Sequence, residues 1–359
     1  MRLGINGRFY AAHATGVQRY AREVARRLPV DATLFLPAGA PVPPELPAGT
    51  RVVSGRLSGH AWEQLELPVQ ARRDGCDTVL HMGGTAPIAT GGDVFVIHDL
   101  LPLTDPEWFS RRFRLWRNTV VRLAAPRAAR VVTGSACVRD EISRRLRVPV
   151  SRIVVTPQGL APFDHPAAPE AVARLRARRG LPDVFLLAVG SDRRKNLPFL
   201  GRVLRRWRER GGEPPPLVVA GDPVARLFAP SEGWPPDVDV RVLGHVGDEE
   251  LHALYTAASA LCFPSRAEGF GRPPLEALAC GTPAVVADYP AAEEVMGDVA
   301  RIVRLDADAW VDALSSILRE GRRPDLRGSL TARHRWDVAA EMVAATCEDA
   351  AAERRRGGA

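Results

Sequence analysis

Lysine is almost missing from this chain. One, Lys195, stands against 48 arginines among the 49 basic residues. A coding bias that strong accounts for the arginines but not for the exception. Cysteine is scarce as well. Cys76, Cys137, Cys262, Cys280 and Cys347 are odd in number, scattered, and lack C-x-x-C or Cys/His spacing. That argues for reduced thiols and against a zinc site. The longest apolar runs, such as VFLLAVG and AASALCF, fall far short of the ~20 residues needed to cross a bilayer. The opening MRLGING carries no long apolar stretch of the secretory kind. These absences lead us to expect a cytoplasmic protein, touching the inner face of a membrane at most peripherally.

With 359 residues the chain has room for about two domains, each with its own core. Hydrophobic residues make up 46% and charged residues 25%, as in ordinary globular proteins. The net charge of +7 suits an anionic small molecule, an anionic lipid or a nucleic acid, and does not choose among them. Nucleic acid is disfavoured, because the basic residues are scattered and no aromatic platform accompanies them. The densest basic stretch, residues 110–130, lies beside Trp108, Phe109, Phe113 and Trp116. It reads either as a solvated helix covering the core or as a membrane-surface face.

Along the chain, strand-like runs alternate with helical ones. RLGIN precedes a helix from Gln18 to Leu28; ATLFLP, residues 77–82, 93–98, 129–135 and 152–159 read as strands. A Pro-, Ala- and Arg-rich crossing follows. The pattern then restarts with a strand over 184–191, a helix to about Arg210, and strands at 216–221, 239–246, ALCFPS and PAVVAD. Continuous apolar strands between amphipathic helices imply parallel sheets covered on both faces. We therefore expect an α/β protein of two Rossmann-like domains, residues 1–165 and 166–335. A closing helix from 336 would lead into a disordered tail ending at 359. Ligands of such sheets sit beyond the carboxyl ends of the strands.

Two loops of that kind carry chemistry. In GSDRRKNLPFLGRVL a strand ends at Ser191 and a helix begins near Leu197, with Asn196 as N-cap and Pro198 in the first turn. Arg194 and Lys195 thus precede a helix N-terminus. Two cations beside that positive end suit a phosphate, and would suit a merely structural role poorly. The plain alternative is a solvated basic turn. In FPSRAEGFGRPPLEALACGTPAVVAD, Glu268 and Glu276 lie eight positions apart around Gly269, Phe270 and Gly271. The glycines let backbone N–H groups approach hydroxyls or phosphate. For Glu276 alone, dipole stabilisation at a helix start is the plain alternative.

The second stretch resembles the donor-binding signature of the retaining glycosyltransferases of family 4, which have the GT-B fold, and VGSDRRKNLPFL is similar to that family's R-K-N-L segment. Further similar segments are TGVQRYAREVARRL, WEQLELP, VIHDLLPLTDPEWF, SACVRDEI, RIVVTPQG and the helix around RHRWDVAAEM. The resemblance implies that Arg194 and Lys195 hold a donor diphosphate and that Glu276 bonds the ribose. Glu268, with the backbone of Gly269, Phe270 and Gly271, would hold the transferred sugar. Gly16 would let backbone approach the phosphates, His98 would lie near sugar and acceptor, and backbone near Val246 would meet the base. For His98 the plain alternative is a turn cap. The sequence departs from the family pattern at SDR, at Gln158 and at Arg272, which often is apolar.

The activity so implied is retaining hexosyl transfer, of mannose or rhamnose type, from a nucleotide-diphosphate sugar to an acceptor hydroxyl in polysaccharide, glycolipid or natural-product assembly. No cofactor is implied, the sugar nucleotide being a substrate. No metal is expected either, since the signature stretches hold no Asp-x-Asp. A GT-B sugar-nucleotide epimerase and a non-catalytic GT-B partner subunit remain as other readings. A nicotinamide dehydrogenase fails on spacing, because Gly4 and Gly7 are followed by no glycine before Gly16.

Overall fold

In a computed structural model of the chain, residues 1–12, 15–160, 162–190, 192–221, 234, 238–322 and 326–357 are described. The chain divides into two compact units. Unit 1 is Met1–Gly159 with the segment from Arg335 onward, and unit 2 is Leu160–His334.

Unit 1 is built on β1 (Leu3–Asn6), β2 (Ala32–Leu36), β3 (Arg51–Ser54), β4 (Thr78–His81), β5 (Val94–Val96), β6 (Arg130–Thr133) and β7 (Ile153–Val155). Among the described residues these form one parallel sheet in the order β3-β2-β1-β4-β5-β6-β7. Its helices are α1 (Gly16–Ala25), α2 (Gly59–Ala61), α3 (Leu67–Arg73), α4 (Leu101–Thr104), α5 (Arg111–Ala124) and α6 (Ala136–Leu146). A π turn over Trp62–Glu66 joins α2 to α3. The residues of β1, β2 and β4 are buried without alternation, as strands covered on both faces must be.

Unit 2 repeats the plan. Helix α7 (Pro169–Arg179) leads into β8 (Leu186–Val189), α8 (Leu197–Glu209), β9 (Leu217–Ala220) and β10 (Val240–Gly244). Then come α9 (Asp248–Ala257), β11 (Ala260–Phe263), α10 (Arg272–Ala279), β12 (Ala284–Ala287), α11 (Ala292–Met296), β13 (Arg301–Val303), α12 (Ala307–Glu320) and α13 (Arg327–Arg333). The parallel sheet runs β10-β9-β8-β11-β12-β13. Leu200, Val203, Leu204 and Trp207 recur at helical spacing on α8 and are buried in one cluster with Trp310, Leu314 and Ile317 of α12. Burial of each such side chain is worth roughly 1.5–3 kcal/mol, so α8 is firmly anchored. The chain is thus α/β, with a Rossmann-like parallel sheet in each unit.

The structure departs from the sequence reading in several places. Helix α1 begins at Gly16 and ends at Ala25, because Gln18 folds back to the Thr15 N–H at 3.2 Å and starts the turn early. The units part after Gly159, not 165. Leu160 donates to the His334 carbonyl at 3.3 Å, and the Phe163 ring packs on Tyr255 at 5.6 Å, both within unit 2. Edge strands β3 and β13 went unread, being short and only partly buried. The tail is helical further than expected: α14 (Trp336–Gly357) takes in Arg354, Arg355 and Arg356. Arg354 donates to the Asp77 carbonyl at 3.2 Å and Arg355 pairs with Asp77 at 3.3 Å, while cations suit a helix C-terminus. Gly358, Ala359 and the expected strand end at Ser191 lie outside the described residues. None of the five cysteines is in a disulfide, and burial pushes the thiols of Cys262 and Cys280 up to about 12.

Candidate active site

In unit 2 the sheet order puts β8 beside β11, with β9 and β12 turning away to either side. That is a topological switch point, where crevices open beyond the strand ends. The loop after β8 carries Arg194 and Lys195 in a single 3₁₀ turn, Arg193–Lys195. Beyond β11 the loop carries Ser265 and Glu268. Strand pairing therefore brings together residues 73 and 74 positions apart. Lys195 Nζ lies 2.7 Å from Glu268 Oε1, and Arg194 Nη1 lies 3.0 Å from Oε2. The Ser265 hydroxyl adds a third contact, 2.6 Å from Oε1, and the Arg266 N–H donates to the Arg194 carbonyl at 2.9 Å.

The cluster is nearly dry: the side chains of Glu268 and Lys195 are 7% and 9% exposed. Burial pushes the Glu268 carboxyl up, but the charges of Lys195 and Arg194, with hydrogen bonds from Lys195 and Ser265, outweigh it. The carboxyl is held below its ordinary range. Lys195 also places its ammonium 4.5 Å from the centre of the Phe263 ring, a cation–π contact. Its stem crosses Gly190, where a Cβ would sit 3.0 Å from Cε; φ there is +95°, and glycine alone fits.

Sequence reasoning placed the two cations and Glu268 around a ligand without foreseeing this direct pairing. Glu268 neutralises part of the charge of the two cations, and Arg194 Nε also meets Asp192 at 3.0 Å. Asn196 occupies the N-cap position of α8 but does not cap it through its side chain. It stands at φ 52° with its amide nitrogen buried and unbonded. The first N–H groups of α8 therefore have no side-chain cap.

Glu276 lies in the first turn and a half of α10, buried. Its Oε2 accepts from Tyr255 Oη at 2.8 Å and its Oε1 pairs with Arg272 at 2.7 Å. The irregular Arg272 is thus a buried partner of Glu276 one helical turn away. A carboxylate offers about four acceptor positions, so room for hydroxyls remains. Phe270 is buried, and its carbonyl accepts from Tyr289 Oη at 3.3 Å. Gly271 stands at φ +87° directly under that hydroxyl. Burial, then Glu276, keeps the Tyr255 phenol protonated; burial, then Glu268, does the same for Tyr289. Gly269 is buried beside them, and Val246 is half-buried on the loop between β10 and α9.

The other two candidates belong to unit 1. Gly16 opens α1, exposed, with nothing within 4 Å of where a Cβ would stand. His98 follows β5; its Nε2 is 3.4 Å from the Met82 carbonyl and its ring meets Tyr20 edge-on at 4.8 Å.

Unit 1 holds a second charged cluster that sequence reasoning missed, again at its switch point, between β1 and β4. Glu63, on the π turn, is fully buried. Its carboxylate accepts from Asn6 at 2.8 Å, Arg8 Nε at 3.1 Å and Thr85 at 2.7 Å, and His60 Nδ1 stands 3.3 Å away. Burial raises this carboxyl, but His60, Arg8, Thr85 and Asn6 together hold it at about 2. The WEQLELP segment was visible as a resemblance only. What marks the cluster, a buried glutamate in a π turn that opens on Trp62, is visible only in the structure.

Among the described residues no group of three or more His, Cys, Asp or Glu is placed to hold a metal ion, and no helix is long and apolar enough to cross a membrane.

Residues 14–162 match the family described as Glycosyltransferase Family 4, and residues 174–340 match Glycosyl transferases group 1. The chain belongs to the family 4 glycosyltransferases of the GT-B fold. It is 28% identical over 342 residues to an O-antigen chain mannosyltransferase B of Escherichia coli, covering 87% of this chain and 88% of that one. To the O-antigen chain mannosyltransferase RfbU of Salmonella typhimurium it is 27% identical, over 69% and 67% of the two chains. Among solved structures, WaaG, a glycosyltransferase involved in lipopolysaccharide biosynthesis, shares the fold with a TM-score of 0.66 at 15% identity, over 97% and 99% of the chains.

Proposed function

We propose that this glycosyltransferase moves a hexose, of mannose or rhamnose type, from a nucleotide-diphosphate sugar to an acceptor hydroxyl, with retention and without a metal ion. The acceptor belongs to polysaccharide, glycolipid or natural-product assembly; an anionic membrane is a peripheral partner. The mannose preference rests on the O-antigen mannosyltransferases to which the chain is similar.

The observation that carries this reading is the Arg194–Glu268–Lys195 cluster at the β8/β11 switch point. When the sugar leaves, negative charge builds on the diphosphate. Lys195, Arg194 and the side-chain-uncapped start of α8 are suited to stabilise it, so catalysis is mainly electrostatic. Glu268 plays two parts in turn. In the free protein it holds both cations in place. With donor bound, it yields them to phosphate and turns to the hydroxyls of the transferred sugar, with Gly269, Phe270 and Gly271 lending backbone. Glu276 takes the ribose and Val246 lies by the base, while His98 of unit 1 belongs to the acceptor chemistry. The leaving phosphate takes the acceptor proton on the same face. No cofactor takes part.

A thermal-shift screen over GDP, UDP, dTDP and ADP and their sugars tests this. A true donor at a hundred times its dissociation constant should stabilise by about 2.7 kcal/mol. Silence across all of them ends the donor-site reading. Product analysis then separates transfer from epimerisation.

A further inference from the structure

Arg117, on α5, makes neither a hydrogen bond nor an ion pair among the described residues, although its Nη1 is buried. A guanidinium carries five N–H donors and keeps its charge, so leaving one buried and unmatched is costly. Burial pushes the group down to about 10; Asp99 and Glu63 oppose this across space, and Arg8 adds to it. Neither carboxylate is at its disposal. Asp99 Oδ1 accepts from the Leu101 N–H at 3.2 Å, and Glu63 is engaged by Asn6, Arg8 and Thr85. The next side chain is in a similar position: Trp116 Nε1 is buried without an acceptor, its ring 4.9 Å from that of His60.

Arg117 reaches the loop after β4. A Cβ at Gly84 would stand 3.4 Å from Arg117 Nη2, and one at Gly83 would stand 3.8 Å from Arg8 Nη2. The two guanidiniums therefore flank the same pair of glycines. Arg8 is held there by Glu63 at 3.1 Å and by the Thr85 hydroxyl at 2.5 Å. Gly84 is left-handed, at φ +78°. Among the described residues no group accepts from the backbone N–H of Gly83, Gly84 or Thr85. Successive N–H groups around a left-handed residue form a hollow suited to an anion.

We infer that this switch point of unit 1 binds a compact oxyanion, a carboxylate or phosphate borne by the acceptor, between Arg117, Arg8 and the Gly83–Thr85 N–H groups. The chemistry chooses the ligand. A sugar hydroxyl could accept one of these hydrogen bonds but would leave the guanidinium charge unmatched. An oxyanion takes two parallel bonds from a guanidinium and still has acceptor positions for backbone N–H groups. Assignment to the acceptor rests on the proposed function, which places acceptor chemistry in unit 1; anion binding itself does not.

The test is isothermal titration of the full chain with glucose 6-phosphate, glucuronate, inorganic phosphate and glucose. The two sugar-borne anions should bind, and glucose should not. Arg117→Met should weaken the anions at least tenfold, the loss of one charge-assisted contact, and Arg117→Lys should recover part of it. Since Arg117 bonds nothing in the free protein, Arg117→Met should melt no lower than wild type, whereas a structural arginine would lower the melting temperature. Anion binding that ignores Arg117→Met, glucose binding as tight as the anions, or no anion binding at all overturns the inference. Inorganic phosphate binding as tightly as both sugar-borne anions would mark a site for the free ion and overturn the assignment to the acceptor. Arg117→Met should keep the nucleotide thermal shifts of wild type. Those shifts report on unit 2, so failure of the donor reading is distinguishable from failure of this one.

Discussion

Replacing Lys195 by methionine keeps the stem that crosses Gly190 and removes the ammonium alone. Lys195 is within 2.7 Å of Glu268, both side chains being under a tenth exposed. Breaking a buried ion pair costs roughly 3–5 kcal/mol because the partner charge is stranded. Here Arg194 and Ser265 stay on Glu268, so about 2 kcal/mol is expected at neutral pH. The pH dependence gives a sharper reading. In the wild type the Glu268 carboxyl is depressed, so its contribution is present above the unfolded pKa and is lost as pH falls. In the variant burial gains the upper hand, the carboxyl rises, and the remaining cost is relieved as pH falls. The stability gap should therefore begin to narrow above pH ~4.5, as the raised carboxyl of the variant takes up its proton, and narrow further below it as the wild type loses its pair, which urea melts at neutral and acid pH would resolve. Turnover should fall on the order of a hundredfold, about 3 kcal/mol of lost charge stabilisation. Lys195→Arg should also be impaired: the stem already passes close over Gly190 and the side chain is nearly dry, so a bulkier guanidinium should overpack the position at about 1–3 kcal/mol. A methionine variant with wild-type stability, a pH-independent gap and intact turnover would refute the assigned role.

Two other perturbations check the site's frame. Glu63, held at about 2 against an ordinary 4.5, contributes roughly 3 kcal/mol that is present above pH ~4.5 and lost on descending towards pH 2. Acid titration of stability should show that loss in wild type and a flatter curve in Glu63→Gln, whose neutral-pH stability is already lower; superimposable curves would contradict the buried network. Gly271→Ala places a methyl against Tyr289 Oη at φ +87°, and should cost ~2 kcal/mol or more. Tyr289→Phe in the same chain should recover part of that loss, as read by melting temperature; no recovery would show that the backbone angle alone decides.

What could be read from the sequence follows from where each segment's partners lie. Central strands such as LLAV and AVVA are apolar throughout because helices cover both faces, and they stood out. Strands β3 and β13 lie at sheet edges, are short and only partly buried, and carry no such continuous apolar signal. Arg354, Arg355 and Arg356 resemble a loose tail until Asp77 is seen to receive two of them. Asn196 has the composition of a cap and instead supplies a left-handed turn, with its own side chain making no cap bond.

Arg194, Lys195, Glu268 and Glu276 were recognisable as residue types in loops after strands, but their pairing was not, because it depends on which strands are neighbours. A doubly wound order supplies that missing step. In each unit the chain starts in the middle of the sheet, adds two strands on one side, then returns to add the fourth beside the first. The loops after the first and fourth strands must therefore meet. In unit 2 they bring Lys195 onto Glu268 beside Ser265. In unit 1 the loops after β1 and β4 bring Arg8 and Thr85 onto Glu63, supplied by the π turn. Both sites hold one dry carboxylate between a cation and a hydroxyl. A buried charge is tolerable only when its partners are fixed, so each glutamate makes its cation loop a single rigid arrangement before any ligand arrives. The lone lysine is then intelligible. At the β8/β11 switch the lysine stem passes close over Gly190 and its ammonium meets the Phe263 ring, a place where a compact point charge and a planar fork are not equivalent.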